Sequence, residues 1–302
     1  LLDASEMPAQ LLVYVKYAFG QFTTHSDRPI QINESALRKI FVVLRTQTGH
    51  DFSQYKPSTI HRRIERRMAV HQVGDLETYV QYLQKTPSEI DALFGDLLIG
   101  VTHFFRDAEA FAALKAHITP QLFASKSANK ANQHSLRVWS AGCSTGEEAY
   151  SLAMVFREVL DAQPQAPTPT LQIFATDLSA DAIAVARKGL YPAKIAQDIA
   201  PERLARFFHA QTGGLLIDQT LRDMVLFAQH DVILDPPFTR LDILACRNVL
   251  IYFAAEVKKD ILTRIHATLK PGGYLFLGAS EALNGLPDKY QMVQCSPGII
   301  YK

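Results

Sequence analysis

Cysteine is scarce: Cys143, Cys246 and Cys295 are the only three among 302 residues, and they lie far apart along the chain. That number and scatter exclude a disulfide framework and a zinc knuckle. Each thiol is read as a buried apolar side chain in a reducing cytoplasm. A surplus of one charge is missing too. Thirty-one Lys+Arg against 30 Asp+Glu leave +1, which argues against a dedicated nucleic-acid binder. No apolar run approaches the roughly 20 residues that span a bilayer, so no membrane insertion is expected. No secretory n-region, h-region and cleavage site is found. The ten histidines are dispersed, with no cluster of His, Cys and carboxylates, so no metal is expected. What is present is ordinary globular composition, 48% hydrophobic and 20% charged, with length for about two domains. The chain begins at Leu1 rather than Met and is read as a piece of something longer, monomeric as such.

The patterning changes along the chain. Residues 7–22 carry apolar side chains near helical spacing, and the polar stretch 23–29 reads as a linker, giving an appendage over 1–31. From 32 to 101 the period is helical throughout. Leu37, Ile40, Phe41 and Leu44 make one stripe, closed by Gly49 as a cap. Pro57 opens a second helix with Ile60, Ile64 and Met68 on one face, and Leu76, Tyr79, Val80 and Leu83 mark a third. Thr86, Pro87 and Glu89 spell a capping box for a fourth. A further helix is expected over 107–126, followed by a polar run, 125–135. Beyond it, β-rich runs at 136–140, 171–176, 225–228, 241–245 and 274–277 alternate with helical ones at 147–160, 180–188, 201–208 and 255–269. Alternation of this kind predicts a mostly parallel, doubly wound α/β sheet over 102–302. The runs 290–294 and 298–301 look like a terminal hairpin.

Chemistry concentrates at the strand ends. The first strand is followed by Gly142-Cys-Ser-Thr-Gly146 and then a helix opening with Glu147 and Glu148. Glycines there permit a tight turn and close backbone approach to a ligand. The pattern is not G-x-G-x-x-G, and two carboxylates at the helix start suit a cationic guest better than a phosphate. Their alternative role is to complement the helix dipole. Asp177 ends the second strand, where an acid can accept from both ribose hydroxyls of an adenosine or simply cap the next helix. The turn and strand around Lys270-Pro-Gly-Gly-Tyr274 look like the fifth-strand entry of Rossmann-like methyltransferases, and with the glycine turn and Asp177 this resemblance makes S-adenosylmethionine the expected ligand. Two blocks narrow the class further: Val101-Thr-His-Phe-Phe-Arg106, and Cys246-Arg-Asn-Val-Leu-Ile-Tyr252-Phe. Taken alone, Arg106 and Arg247 could equally be structural ion pairs, and Tyr252 a packing tyrosine.

Together, Thr-x-Phe-Phe-Arg, Ala-Gly-x-Ser-Thr-Gly-Glu-Glu-x-Tyr-Ser and Cys-Arg-Asn-x-x-Ile-Tyr-Phe resemble the CheR family, the protein-glutamate O-methyltransferases of chemotaxis receptors. The resemblance runs from about residue 32 to the C-terminus. It implies a small all-α N-terminal domain and a Rossmann-like S-adenosylmethionine-dependent domain carrying a small antiparallel β-subdomain, about 207–228. It also implies glutamate methyl esters on methyl-accepting receptors, with S-adenosylhomocysteine as the product and no metal. By this resemblance Thr102, Arg106, Gly142, Glu148, Asp177, Asp231, Val232, Arg247 and Asn248 contact the cofactor, and Arg106 and Tyr252 stand closest to the transferring methyl. The family often has Asn at Gly100, Pro at Ala149 and Asn at Asp231. The hairpin at Gly213-Gly214 looks short, so a receptor C-terminal tether is not expected to be needed. The first residues, Glu6-Met-Pro-Ala-Gln-Leu-Leu-Val-Tyr-Val, resemble the tail of a CheB methylesterase domain, as in a CheB/CheR fusion.

The second helix carries Lys56, Arg62, Arg63, Arg66 and Arg67 against a single acid, Glu65. Its plain reading is a solvated face. Its functional reading is docking on an acidic helical bundle, and the resemblance supports Lys56, Arg63, Arg66 and Arg67 in contact with the receptor's cytoplasmic bundle. Two other functions stay open: a cofactor-binding signalling scaffold without catalysis, and a methyltransferase with another acceptor. An NAD-dependent oxidoreductase is disfavoured by the missing glycine fingerprint.

Overall fold

The computed structural model describes residues 34–98, 100–119, 122, 135–162, 170–281, 290–294 and 299–302. The expected helix at 7–22, its linker, the polar run up to 134 and Cys295 lie outside the described residues. The chain divides into two compact units, Leu1–Ile99 with Tyr252–Ala254, and Gly100–Ile251 with Ala255–Lys302.

The helical unit holds α1 (Glu34–Thr48), α2 (Pro57–Val70), α3 (Leu76–Lys85) and α4 (Pro87–Leu97). Its core takes most of the predicted set: Leu37, Ile40 and Leu44 from α1, Ile60 and Ile64 from α2, Tyr79, Val80 and Leu83 from α3, closed by Phe52 and Leu93, while Phe41, Met68 and Leu76 pack against it only partly buried. Gly49 ends α1 at φ +76, its N–H on the Arg45 carbonyl at 2.9 Å. Asp75 caps α3 by accepting the Thr78 N–H. Thr86 and Pro87 open α4 as expected, but the capping box does not form, because Thr86 makes no side-chain cap bond. Glu89 is buried in the unit's interior instead. A tripeptide from far along the chain completes this unit. Lys56 N–H donates to the Tyr252 carbonyl (2.8 Å), Ala254 N–H to Gln54 (3.1 Å), and the Tyr55 and Phe253 rings meet edge-on.

The second unit is built on a seven-stranded sheet: β1 (Ser135–Ala141), β2 (Thr170–Asp177), β6 (Val225–Gln229), β7 (Leu241–Cys246), β8 (Leu269–Leu277), β9 (Met292–Gln294) and β10 (Ile299–Tyr301), in the order β6-β2-β1-β7-β8-β10-β9. The first five neighbours run parallel, and β10 runs antiparallel to both β8 and β9, the pairing expected of the terminal runs. Strand order reverses between β1 and β7, the switch point outside which ligands of open α/β sheets bind. Helix α5 (Ala108–Ala113) precedes β1, and α6 (Glu147–Asp161), α7 (Ala180–Lys188), α8 (Pro201–Phe207), α9 (Gln219–Arg222) and α10 (Ala255–His266) connect the strands. The helix expected over 107–126 is α5 continued by a π-helical turn, Leu114–Ile118. The helix expected to reach 269 stops at His266. Leu269 instead pairs with Leu241, and the register shifts before Ile243 meets Tyr274. A separate antiparallel sheet, β3-β5-β4, joins β3 (Leu190–Tyr191) to the hairpin of β4 (Phe208–Gln211) and β5 (Gly214–Ile217). It takes in Leu190–Tyr191, ahead of the expected stretch, and leaves Val225–Gln229 to the large sheet.

Candidate functional site

The five parallel strands put their C-terminal ends on one edge. Ala141, Asp177, Gln229, Cys246 and Leu277 end there, each followed by a loop that carries polar groups. After β1 the chain turns at once. Gly142 and Cys143 both donate N–H to the Thr176 carbonyl (2.7 and 2.9 Å), and φ is +72 at Gly142, +50 at Ser144 and +98 at Gly146. A Cβ on Gly142 would fall 2.3 Å from Val249 Cγ2, so only glycine fits. The turn delivers Ser144 N–H to Asp177 Oδ2 (2.8 Å), while Oδ1 accepts Ser179 N–H (2.9 Å). A carboxylate has about four acceptor sites, so each oxygen keeps capacity for a ligand hydroxyl. Burial pushes the Asp177 carboxyl up from its ordinary value, against the backbone donors that favour the anion. Asp177 is thus both the loop cap and a group able to accept from ribose.

Glu148, one residue inside α6, accepts Ser140 Oγ–H (2.8 Å) and Arg247 Nη1–H (3.2 Å). Burial raises its pKa, Arg247 and Ser140 oppose that rise, and the neighbouring Glu281 charge adds to it. Glu147 accepts Thr145 Oγ1–H (2.7 Å), and burial raises its pKa as well. Arg247 follows β7 with its side chain only 1% exposed. Its Nη2 donates to the Arg106 carbonyl (2.8 Å) and Asp107 Oδ2 (2.7 Å), and its guanidinium lies over Phe111 and Phe276. Its Nε is buried with no hydrogen-bond partner among the described residues. Arg247 therefore ties the Arg106 turn to α6. That turn is strained, with non-glycine residues at φ +51 (Phe105) and +61 (Asp107), and it is held by Phe105 N–H on Ser151 Oγ (3.0 Å). Arg106 itself donates to the Val101 carbonyl, and Thr102 is half-buried in the same segment.

The loop after β6 is folded by its own acid. Asp231 Oδ1 accepts the Ile233 and Leu234 N–H groups, and Asp231 N–H goes to Asp235 Oδ2. Its side chain caps this loop, and the Val232 carbonyl accepts from Arg264. Asn248 stands at φ +59, its N–H on Glu281 Oε2 (2.7 Å). Glu281 was not among the expected residues. Four per cent exposed, it also accepts Leu250 N–H (2.8 Å) and Gly278 N–H (2.9 Å), locking the loops after β7 and β8 together. Its only signal in the sequence is an acid four residues past a buried strand. Tyr252 is the expected residue that groups with the helical unit rather than with this network. Among the described residues no group of three or more His, Cys, Asp or Glu could hold a metal ion.

On the basic helix the four expected docking residues divide. Arg66 is exposed and only 3.9 Å from Asp96. Arg63 is half-buried, and Lys56 sits at the N-cap. Arg67 turns inward: Nε donates to Glu89 Oε1 (2.9 Å), Nη2 donates to Oε2 (2.5 Å), and its side chain is 17% exposed. His71 Nε2 (2.6 Å) and Tyr79 O–H (2.8 Å) complete the shell of Glu89. Burial alone would raise the Glu89 pKa, but Arg67, Tyr79 and His71 outweigh it and hold the carboxyl below its ordinary value. This buried pair is why the capping box is absent and why Arg67 is spent inside the fold.

A doubly wound sheet with an acid at the tip of β2, a glycine turn after β1 and buried carboxylates opening α6 defines a nucleoside-binding α/β protein of the methyltransferase kind. Residues 100–299 match the family model for the S-adenosylmethionine-binding domain of CheR methyltransferase, and residues 35–98 match its all-alpha domain. The chain belongs to the CheR methyltransferase family. It is 42% identical over 258 residues to an uncharacterized 104.1 kDa protein of Rhodobacter capsulatus, covering 85% of this chain but 26% of that one. It is also 41% identical to chemotaxis protein methyltransferase 1 of Pseudomonas aeruginosa, and 40% identical to chemotaxis protein methyltransferase Cher2 of Pseudomonas putida. Each of these two alignments covers 86% of this chain and 95% of the relative. The likeness of the first residues to a methylesterase tail finds no support, since the family models cover 35–98 and 100–299. No described helix is long and apolar enough to cross a membrane.

The site's polar groups fit S-adenosylmethionine. Asp177 has acceptor capacity for ribose hydroxyls, Glu148 offers a buried anion to a cationic ligand, and Arg247 keeps one buried N–H unused among the described residues.

Proposed function

We propose that the chain methylates glutamate side chains on the cytoplasmic helical bundle of chemotaxis receptors. The observation that carries the reading is the linked set at the strand tips, in which Asp177 is bonded to the glycine turn and Glu148 to Arg247. When bound, S-adenosylmethionine supplies a methyl on a cationic sulfur, whose transfer to a carboxylate oxygen gives the ester and S-adenosylhomocysteine. Asp177 would hold the ribose. Glu148 would face the cationic end, with Arg106 and Arg247 at the methionine carboxylate and the loops of Asp231, Val232 and Asn248 around the base. An acceptor glutamate has a pKa of about 4.3 and is already ionised at pH 7, so no general base is required. The protein's work is alignment and removal of water from the carboxylate. Tyr252 orients that carboxylate through its phenol. An arginine in the same role would damp its nucleophilicity, so Arg106 serves the cofactor end instead. Lys56, Arg63 and Arg66 engage the acidic bundle, while Arg67 anchors the helix that carries them.

The test is incubation of the chain with methyl-labelled S-adenosylmethionine and a receptor cytoplasmic fragment. Base-labile label in the fragment, released as methanol by alkali and sharply reduced by Tyr252→Phe, is expected. Tight S-adenosylhomocysteine binding with no incorporation would instead establish a scaffold. Alkali-stable label would establish a different acceptor chemistry.

A further inference from the structure

The small antiparallel sheet reaches the cofactor edge through one side chain. Tyr191, the last residue of β3, is 2% exposed, and its phenol donates to the Thr145 carbonyl (2.7 Å) in the glycine turn. The same oxygen lies 3.0 Å from where a Cβ on Gly146 would stand. Its ring meets Phe104 edge-on at 5.0 Å, and Phe104 meets Phe208 of β4 at 5.5 Å. Two strands of the small sheet thus hold Phe104. The helix that runs into β4 holds its neighbour Phe105, since Arg203 of α8 lies over that ring at 4.1 Å. Tyr191 is itself fixed by β5. It pairs with Leu215, and a Cβ at Gly214, φ +149, would fall 2.0 Å from the Tyr191 carbonyl oxygen.

Burial pushes the Tyr191 phenol well above its ordinary pKa, with the Glu147 charge adding to the rise, so it remains a donor across the neutral range. Losing that donor would leave the Thr145 carbonyl without it, next to the turn that presents Ser144 to Asp177.

We propose that Tyr191 is a positioning residue for the cofactor-binding turn, and that the three-stranded sheet buttresses the crevice, so that strain on the sheet changes affinity for S-adenosylmethionine. The inference rests on that cofactor occupying the strand tips. By linkage the coupling runs both ways, so cofactor binding stiffens the small sheet.

The test combines calorimetric titration with S-adenosylhomocysteine and amide hydrogen exchange, on the full chain and on Tyr191→Phe and Gly214→Ala. Tyr191→Phe keeps the ring and removes one hydrogen bond, so affinity should fall about threefold to tenfold, the range of one net hydrogen bond. Ligand-induced protection of residues 190–191 and 214–217, seen in the parent chain, should weaken in the variant. Gly214→Ala acts from the sheet itself and should lower affinity at least as much. If it does not fold, Tyr191→Phe still decides the matter. A lowered melting temperature with unchanged affinity and no ligand-dependent protection in the small sheet overturns the proposal. A parent chain that binds no S-adenosylhomocysteine overturns the cofactor reading instead.

Discussion

Each unit of this chain buries an arginine against a glutamate, and the two pairs differ in how completely they are satisfied. In the helical unit, both Glu89 oxygens are engaged by Arg67, with His71 and Tyr79 filling the remaining directions, and the acid is held below its ordinary pKa. In the sheet unit, Glu148 takes one bond from Ser140 and a longer one from Arg247, its pKa is raised, and Arg247 keeps a buried N–H without a partner among the described residues. A saturated buried network fixes a fold. An unsaturated one at a strand-tip crevice has capacity for a ligand. Identical residue types therefore act as a staple in one place and as part of a binding site in the other.

The contrast can be broken most sharply at Arg67. Arg67→Ala leaves the buried Glu89 without its arginine, with only His71 and Tyr79 against it, and should cost up to about 3–5 kcal/mol of stability in denaturant titration, with S-adenosylhomocysteine affinity unchanged. Unaltered stability would show that the pair is not a staple. The pH dependence follows from the same pair. Because the folded Glu89 carboxyl titrates below its ordinary 4.5, its contribution is present above that value and is lost as pH falls through the lower folded one. Glu89→Gln should therefore flatten the acid limb of the stability profile below about pH 4.5, and an unchanged limb contradicts the assignment.

In the sheet unit, Asp177→Ala should weaken S-adenosylmethionine binding by roughly 1.5–3 kcal/mol, the scale of hydrogen bonds to a charged group, as read by calorimetry. Equal affinity would reduce Asp177 to a loop cap. The smallest effect belongs to the docking cations, half-buried Arg63 and exposed Arg66. Arg63→Ala with Arg66→Ala should raise KM for a receptor fragment by about 0.2–1 kcal/mol per charge and flatten its salt dependence, and an unaltered salt profile would exclude them from docking.

How much of this was legible in the sequence follows from how local each determinant is. The helical core and the five parallel strands were readable because their apolar periods are local. The strand-tip residues Gly142, Asp177 and Arg247 were readable because turn and motif mark them. Glu89 reads as a capping residue in the sequence, whereas it is buried against Arg67. Thr-x-x-Glu looks the same whether the acid turns back to the helix end or inward, and what decides is Arg67, 22 residues earlier. Glu281 carries no motif at all, since its role is set by three amide groups, two of them on the loop after β7. β3 is two residues long, too short for any period, and only its pairing with β5 reveals it.

The most direct measurement titrates S-adenosylhomocysteine into two matched variants, Glu148→Gln and Glu89→Gln. The account predicts single-site binding that is about tenfold or more weaker when the Glu148 charge is removed and equal to the parent chain when the Glu89 charge is removed. Equal affinity in both variants, or loss in the Glu89 variant alone, would contradict it.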